Sequence, residues 1–391
     1  MDMRLVWMAL GTFAVGTGAF VIASLLPGIS TEFQVSTPQA GLLVVSFAIA
    51  YAIGTPILST LTGGLDRRPV LAVSMLVYAF ANAAGGLAPS FGWLLAARVL
   101  MAVASGVFAA TATGTAALMA KPEKRAEAIA VIVGGTTLSV ALGAPIGALI
   151  ANYMSWRAAF LALGGISVLV AGAVWFMLPR GLPGTRLGLR ERVMVVTKPG
   201  MGRALLVTVG ALAAAFTVFT YVAAFAKDTG LSQDMLPWVL VAFGGGAVVG
   251  NYVAGKLADQ FGPARTVGWV VAVISVIMAG FSVEAHLLPA GIAGYALIAT
   301  MVPWGFVGWG FPPAQASHIV ALAPELAPVS LGLNASAIYA GIALGSGIGG
   351  AWLASEPVRD IGFVGAAVGL VTLAIHLLRA PAPALRQRAN L

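Results

Sequence analysis

The side chain with the most evident chemistry in this 391-residue sequence is Arg98, about five residues inside an apolar stretch that begins at Phe91 or Trp93. Holding an arginine near the centre of a bilayer costs about 2.5 to 3.5 kcal/mol on insertion scales, so a membrane helix that keeps one has a use for it. The plain alternative is a side chain that reaches back along its helix to the membrane surface. No carboxylate accompanies it. Asp2, Asp66, Glu123, Glu127, Glu191, Asp259 and Glu325 fall toward one side of the apolar stretches, and Glu32, Asp228, Asp234, Glu284, Glu356 and Asp360 toward the other. None falls in the middle third of a stretch. A buried carboxylate with a raised pKa is the usual proton carrier in a membrane, and its absence counts against proton coupling.

Other reactive chemistry is scarce. The chain has no cysteine, and its three histidines are scattered: His376 in the last apolar stretch, His318 in a predicted loop and His286 at a turn. No His/Asp/Glu cluster has metal-ligand spacing, and no nucleophile stands at a recognisable distance from a base. The sequence therefore predicts no enzyme, metal or cofactor. What it offers instead is hydroxyls, amides and aromatic rings inside apolar stretches: Thr17, Ser46, Tyr51, Thr111, Thr113, Thr136 and Thr137 in the first half, and Thr217, Thr220, Tyr221, Asn251, Tyr252, Trp304, Trp309, Gln315, Asn334, Ser336 and Tyr339 in the second. Of these, Thr17, Tyr51, Tyr221, Asn251, Trp304, Asn334 and Tyr339 are the candidate substrate contacts. Such a lining suits a neutral or amphipathic small molecule held by ring faces and a few hydrogen bonds. For each residue alone, helix packing is the stronger reading.

The elements that must position these groups are membrane helices. Hydrophobic residues make up 60% of the chain and charged residues 9%, with a mean hydropathy of +0.97, whereas soluble domains carry about a quarter charged. A spanning helix needs about 20 apolar residues, which predicts twelve: 5–26, 41–61, 69–88, 92–118, 127–150, 157–178, 203–226, 235–257, 265–283, 287–311, 330–352 and 359–379. The run from Leu5 to Leu26 is long enough to span and reads as a helix rather than a cleaved leader.

With the N-terminus inside, 17 of the 21 basic residues fall on one side: Arg4, Arg67, Arg68, Lys121, Lys124, Arg125, Arg180, Arg186, Arg190, Arg192, Lys198, Arg203, Lys256, Arg265, Arg379, Arg386 and Arg388. Only Arg157, Lys227 and Arg359 face the other. This is the positive-inside pattern, and it accounts for the net charge of +8 without a nucleic-acid partner. The basic connection 179–202 divides the chain into a bundle 1–178 and a bundle 203–379, with a tail 380–391. The halves echo each other: GGLDRRPVL (Gly63 to Leu71) follows the second helix and GKLADQFGPAR (Gly255 to Arg265) the eighth, so Asp66 and Asp259 correspond. Internal repeats of this kind are common in secondary transporters.

Those loops, Arg98 and the glycine-rich run GGTTLSVALGAPIGALIANYMSWRAAF (Gly134 to Phe160) together resemble the major facilitator superfamily, in particular its twelve-helix drug:proton antiporter branch of multidrug, chloramphenicol, sugar and nucleoside exporters. The loop at Gly255 to Arg265 fits the family pattern G-x-L-x-D-R-x-G-R-R well. The loop at Asp66, Arg67 and Arg68 is a shortened copy. The fifth helix fits the antiporter motif through Gly135, Gly143, Pro145 and Gly147, with Ala144 and Ala148 where the family has glycine. The resemblance covers nearly the whole chain and implies two pseudo-symmetric six-helix bundles, all α, rocking about a midplane site.

By the same resemblance, Asp66, Arg67, Arg68, Asp259 and Arg265 latch the halves, Arg98 handles protons or positions the first helix, and Gly143, Pro145 and Gly147 form a contact between halves bent at Pro145. The resemblance further implies an efflux antiporter for a small-molecule substrate, with protons as counter-ion, working as a monomer in the lipid bilayer of a bacterial inner membrane with both termini cytoplasmic. Position 19, where relatives of that branch carry an acid in the first helix, is Ala19. An uncoupled facilitator or importer of a sugar or nucleoside is the alternative reading, and a non-transporting receptor of the same fold is another.

Overall fold

A computed structural model describes residues 2–184 and 194–378, and among them every long element is a helix. Twelve helical spans are long and apolar enough to cross a membrane: Met3–Phe20, Thr37–Leu61, Arg67–Gly86, Phe91–Met119, Pro122–Tyr153, Trp156–Met177, Met201–Phe219, Gln233–Phe261, Pro263–Leu287, Ile292–Leu322, Pro324–Leu353 and Val358–Leu377. They are called the first to twelfth spans below. In hydrocarbon each backbone N–H and C=O needs an internal partner, which a continuous helix supplies everywhere but at its ends. Those ends are closed by side chains. Asp2, Asp66, Ser90 and Ser155 each cap a helix start. Ser36 and Gln39 form a reciprocal capping box, with Gln39 Oε1 accepting from Ser36 N at 2.8 Å.

The spans pair in a pattern that repeats on adding six. The second packs on the fourth as the eighth does on the tenth, the third on the sixth as the ninth on the twelfth, and the first on the fifth as the seventh on the eleventh. Between the bundles, the second meets the eleventh and the fifth meets the eighth, which is the same relation read from either half. This two-fold repeat is the structural counterpart of the matched loops at Asp66 and Asp259.

Several boundaries differ from the sequence reading. The first span is interrupted at Val21 and continues as Ile22–Phe33, and the seventh is interrupted at Thr220 and Tyr221 and continues as Val222–Asp228. The tenth, expected over 287–311, runs to Leu322 with Pro312 and Pro313 inside it, so His318 lies in a helix rather than a loop. In the fifth span a π turn, Ser139–Gly143, separates two α-helical stretches, and Ala144 N donates to Ser139 O. Pro145 cannot donate to the carbonyl of Ala141, so the distortion falls in the turn just before the proline. Arg186, Arg190, Arg192, Arg379, Arg386 and Arg388, with the tail 380–391 and the middle of the 179–202 connection, lie outside the described residues.

Candidate functional site

Residues of the two halves meet along the middle of the spans and toward the face opposite the N-terminal end, here the far face. Among the described residues, one hydrogen bond links 2–178 to 201–378: Asn152 Nδ2 donates to Gln233 O at 3.2 Å, at the far ends of the fifth and eighth spans. All ring contacts between the halves are at mid-span. Tyr51 of the second span stacks on Tyr339 of the eleventh with ring centroids 3.6 Å apart and planes 19° from parallel. Phe47, one turn away, lies 6.2 Å from Tyr339. Phe20, beside the break in the first span, touches Phe216, Phe219 and Trp309 at 5.8 to 6.3 Å.

Arg98 stands beside the stack. It is 1% exposed and so does not reach back to the surface. Its Nε donates to Leu43 O at 3.2 Å and its Nη1 to Gly18 O at 2.9 Å, with the guanidinium 4.2 Å over the Phe47 ring. Gly18 lies in the last turn before the break at Val21, where helix carbonyls lack their usual partners. Arg98 thus ties the first and second spans to the fourth. Its Nη2 is buried and has no partner among the described residues, and no carboxylate pairs with it.

The other candidate substrate contacts are placed as follows. Trp304 is buried in a ring cluster with Phe219, Phe243 and Phe281 at 5.1 to 5.9 Å. Tyr221 donates to Ser346 O at 2.8 Å and packs against Gly41 of the other half. Asn334 accepts from Thr208 through Oδ1 at 2.8 Å, and Thr208 also accepts from Gln315 Nε2 at 2.9 Å, so these groups are committed to one buried network. Thr17 donates to Phe13 O in its own helix. Asn251 is half-buried in the eighth span. The structure therefore brings Tyr51 and Tyr339 together at the interface and sets Trp304, Asn334 and Asn251 back within the second half.

The candidate gating residues sit in two places. Asp66 caps the third span, its carboxylate accepting from Arg68 N at 3.1 Å and Gly181 N at 2.7 Å. Desolvation opposes ionisation of its carboxyl, but the N–H groups of Gly181, Arg68 and Leu182 outweigh it and hold the pKa below the ordinary value. The cap is therefore charged at neutral pH, and its contribution goes only as pH falls through that lowered pKa. Arg68 lies over the Trp175 ring at 4.7 Å and Arg67 is half-buried beside it. Asp259 and Arg265 are exposed at the adjoining ends of the eighth and ninth spans. Gly143 faces Thr17 of the first span and Gly147 faces Val21 at its break, with Pro145 buried between them. Across the bundles the contact falls on the π turn, where Gly244 of the eighth span packs on Val140 and Ala141.

Two features escaped the sequence reading. The phenylalanines Phe20, Phe47, Phe216 and Phe219 are not among the candidate contacts, because a ring without a polar atom reads in an apolar stretch as ordinary packing, although Phe20 adjoins Ala19 and an aromatic pair recurs at 216 and 219. Glu32 forms an ion pair with Arg157 at 2.5 Å and accepts from Trp156 Nε1 at 2.6 Å, while Arg157 also donates to Gly86 O and Ala88 O. That cluster explains the Trp156–Arg157 pair after the fifth span: it clamps the far ends of the first, third and sixth.

The sequence profile of the Major Facilitator Superfamily matches residues 8–346 and 204–390. The chain is a member of that superfamily. This transporter is 30% identical over 345 residues to the inner membrane transport protein YdhP of Escherichia coli (strain K12), covering 88% of this chain and 87% of that protein. It is 28% identical over 374 residues to the uncharacterized MFS-type transporter YbcL of Bacillus subtilis (strain 168), covering 95% and 94%. Its fold matches a bacterial homolog of the human lysosomal transporter Spinster in inward-facing form, with TM-scores of 0.73 occupied and 0.75 unoccupied at 17% and 18% identity, over at least 95% of both chains. The transporter is thus a multi-pass membrane protein with twelve spans.

Proposed function

We propose that the transporter exports small neutral or amphipathic compounds by alternating access, with protons as counter-ion, and acts as a monomer in a bacterial inner membrane with both termini cytoplasmic. The observation that carries this reading is the mid-span interface. Flat ring faces from both halves meet there, Phe20, Phe47 and Tyr51 against Phe216, Trp309 and Tyr339, and one buried cation, Arg98, lies over the Phe47 ring. Rings bind planar apolar bodies, and the few polar groups among them orient the polar end. The basic residues on the N-terminal face support the orientation. The halves' contacts toward the far face agree with the inward-facing form of the structural relatives. The family resemblance of the fifth span supports export. Asp66, Arg67, Arg68, Asp259 and Arg265 act in this reading as the latch that forms when the N-terminal face closes.

A second reading, an uncoupled facilitator for a sugar or nucleoside, is favoured by the lack of a carboxylate in the middle third of any span. Purified protein in proteoliposomes separates the two. A panel of amphenicols, sugars, nucleosides and aromatic dyes is followed with an imposed pH gradient and without one. Aromatic compounds should move at rates that fall at least about tenfold when the gradient is collapsed. Movement that ignores the gradient overturns the antiporter and leaves the facilitator. If no compound moves under either condition, export itself is refuted.

A further inference from the structure

The guanidinium of Arg98 is a full positive charge, 1% exposed, with no carboxylate paired to it and one nitrogen, Nη2, bonded to nothing among the described residues. A buried, unpaired cation is among the costliest groups a fold can hold, and an ionisable side chain kept inside a membrane span marks a functional site. Among the described residues, the groups that touch or neighbour it are carbonyls, hydroxyls and a ring rather than anions. The first span gives Gly18 O, the second Leu43 O and the face of Phe47. The hydroxyls of Tyr78 on the third span and Tyr339 on the eleventh are its ionisable neighbours, and Tyr78 is committed to Ala14 O at 3.2 Å.

Four of these five groups belong to the first bundle. The fifth, Tyr339, belongs to the other, and its ring lies face to face on Tyr51 at 3.6 Å. When the halves rock apart, Tyr339 leaves with the eleventh span, and Tyr51, Phe47 and the free Nη2 are uncovered together.

We propose that Arg98 Nη2 anchors an anionic head group of the cargo, a carboxylate or a group of the same charge, while the aromatic body of the cargo takes the place of the Tyr339 ring on Tyr51. The cargo class is then a planar aromatic anion, the amphipathic branch of the export reading on which this inference rests. Tyr339 is the protein's own stand-in for the cargo ring, and the charge of Arg98 is balanced only when cargo is bound. A carboxylate on a guanidinium gains a charge-assisted hydrogen bond that an isosteric carboxamide does not.

Equilibrium dialysis of the full-length protein in detergent against 2-naphthoate and 2-naphthamide tests this without requiring transport. The wild type should bind 2-naphthoate at least about tenfold more tightly, as a hydrogen bond to a charged group implies. Arg98→Gln should bind the two equally, and Arg98→Lys should keep a reduced preference for the carboxylate. Equal binding of the pair by the wild type, or a carboxylate preference that survives in Arg98→Gln, overturns the anchor. If Arg98→Gln does not fold, the wild-type pair still decides. Failure of the export reading has a different signature: naphthalene and other aromatic compounds of any charge neither bind nor move in proteoliposomes.

Discussion

Arg98→Met is expected to reduce movement of cargo by about 100-fold, equivalent to about 2.7 kcal/mol of barrier, while changing the stability of the fold by no more than about 1 kcal/mol. The two effects part because the arginine is costly where it stands. Its charge is buried without a counter-charge among the described residues, and replacing a buried ionic group by an apolar side chain of similar length is often neutral or favourable to folding. Against that relief stands the loss of two hydrogen bonds, to Leu43 O and Gly18 O, at about 1 kcal/mol each. A methionine still fills the space over the Phe47 ring. Thermal unfolding in detergent measures the first effect and initial rates in proteoliposomes the second. A variant that transports at the wild-type rate refutes any functional role for the residue. One that fails to fold makes the arginine a structural strut between the first, second and fourth spans.

Gly244→Val should weaken closure at the interface of the fifth and eighth spans and cut transport by ten- to a hundredfold. A Cβ at position 244 would meet the Cα of Ala141 at 2.5 Å and the carbonyl oxygen of Val140 at 2.8 Å. Both atoms are backbone of the opposite bundle, held in the π turn, so neither can rotate away. Overpacking of this kind costs about 1 to 3 kcal/mol, and each 1.4 kcal/mol shifts a two-state equilibrium tenfold. The variant should fold, because the clash is between bundles rather than within one, but should populate the far-closed state less. Spin labels at the far ends of the fifth and eighth spans read that population as a distance distribution. An unchanged distribution with unchanged transport would remove the π turn from the moving interface. Gly245→Val, next to it and facing open space, is the control.

The fold was largely legible in the sequence because the signals that specify it are long. About 20 consecutive apolar residues and a loop-by-loop charge bias survive errors of several positions, so the number of spans agreed even though the tenth, expected to end at 311, runs to Leu322. Proline in a membrane helix is a weak stop signal because neighbouring helices make good the lost bond. The interruptions at Val21 and at Thr220 were not legible, since neither is marked by glycine or proline at the break itself. The candidate site was legible in part as a set of residues, not as a geometry. Arg98 stood out by the cost of its charge, and Tyr51 and Tyr339 as rings with hydroxyls in apolar stretches; the structure sets all three near the meeting of the halves. That they stack on each other across the interface depends on the relative rotation of the second and eleventh spans, which no local pattern encodes. Asn334 looked like a cavity group because an amide in a membrane span must bond to something; its partner proved to be Thr208 within the same bundle.

Cargo is expected to cross when the two bundles separate at the far face, where Asn152 and Gln233 hold them together. The native chain has no cysteine, so Asn152→Cys/Gln233→Cys introduces the only two thiols, at a pair whose side chain and backbone lie 3.2 Å apart. Cross-linking that pair with a short thiol reagent in proteoliposomes should stop movement of cargo completely, and cleaving the cross-link should restore it, with either single-cysteine variant unaffected. Wild-type rates in protein shown by mass spectrometry to be fully cross-linked would contradict the account.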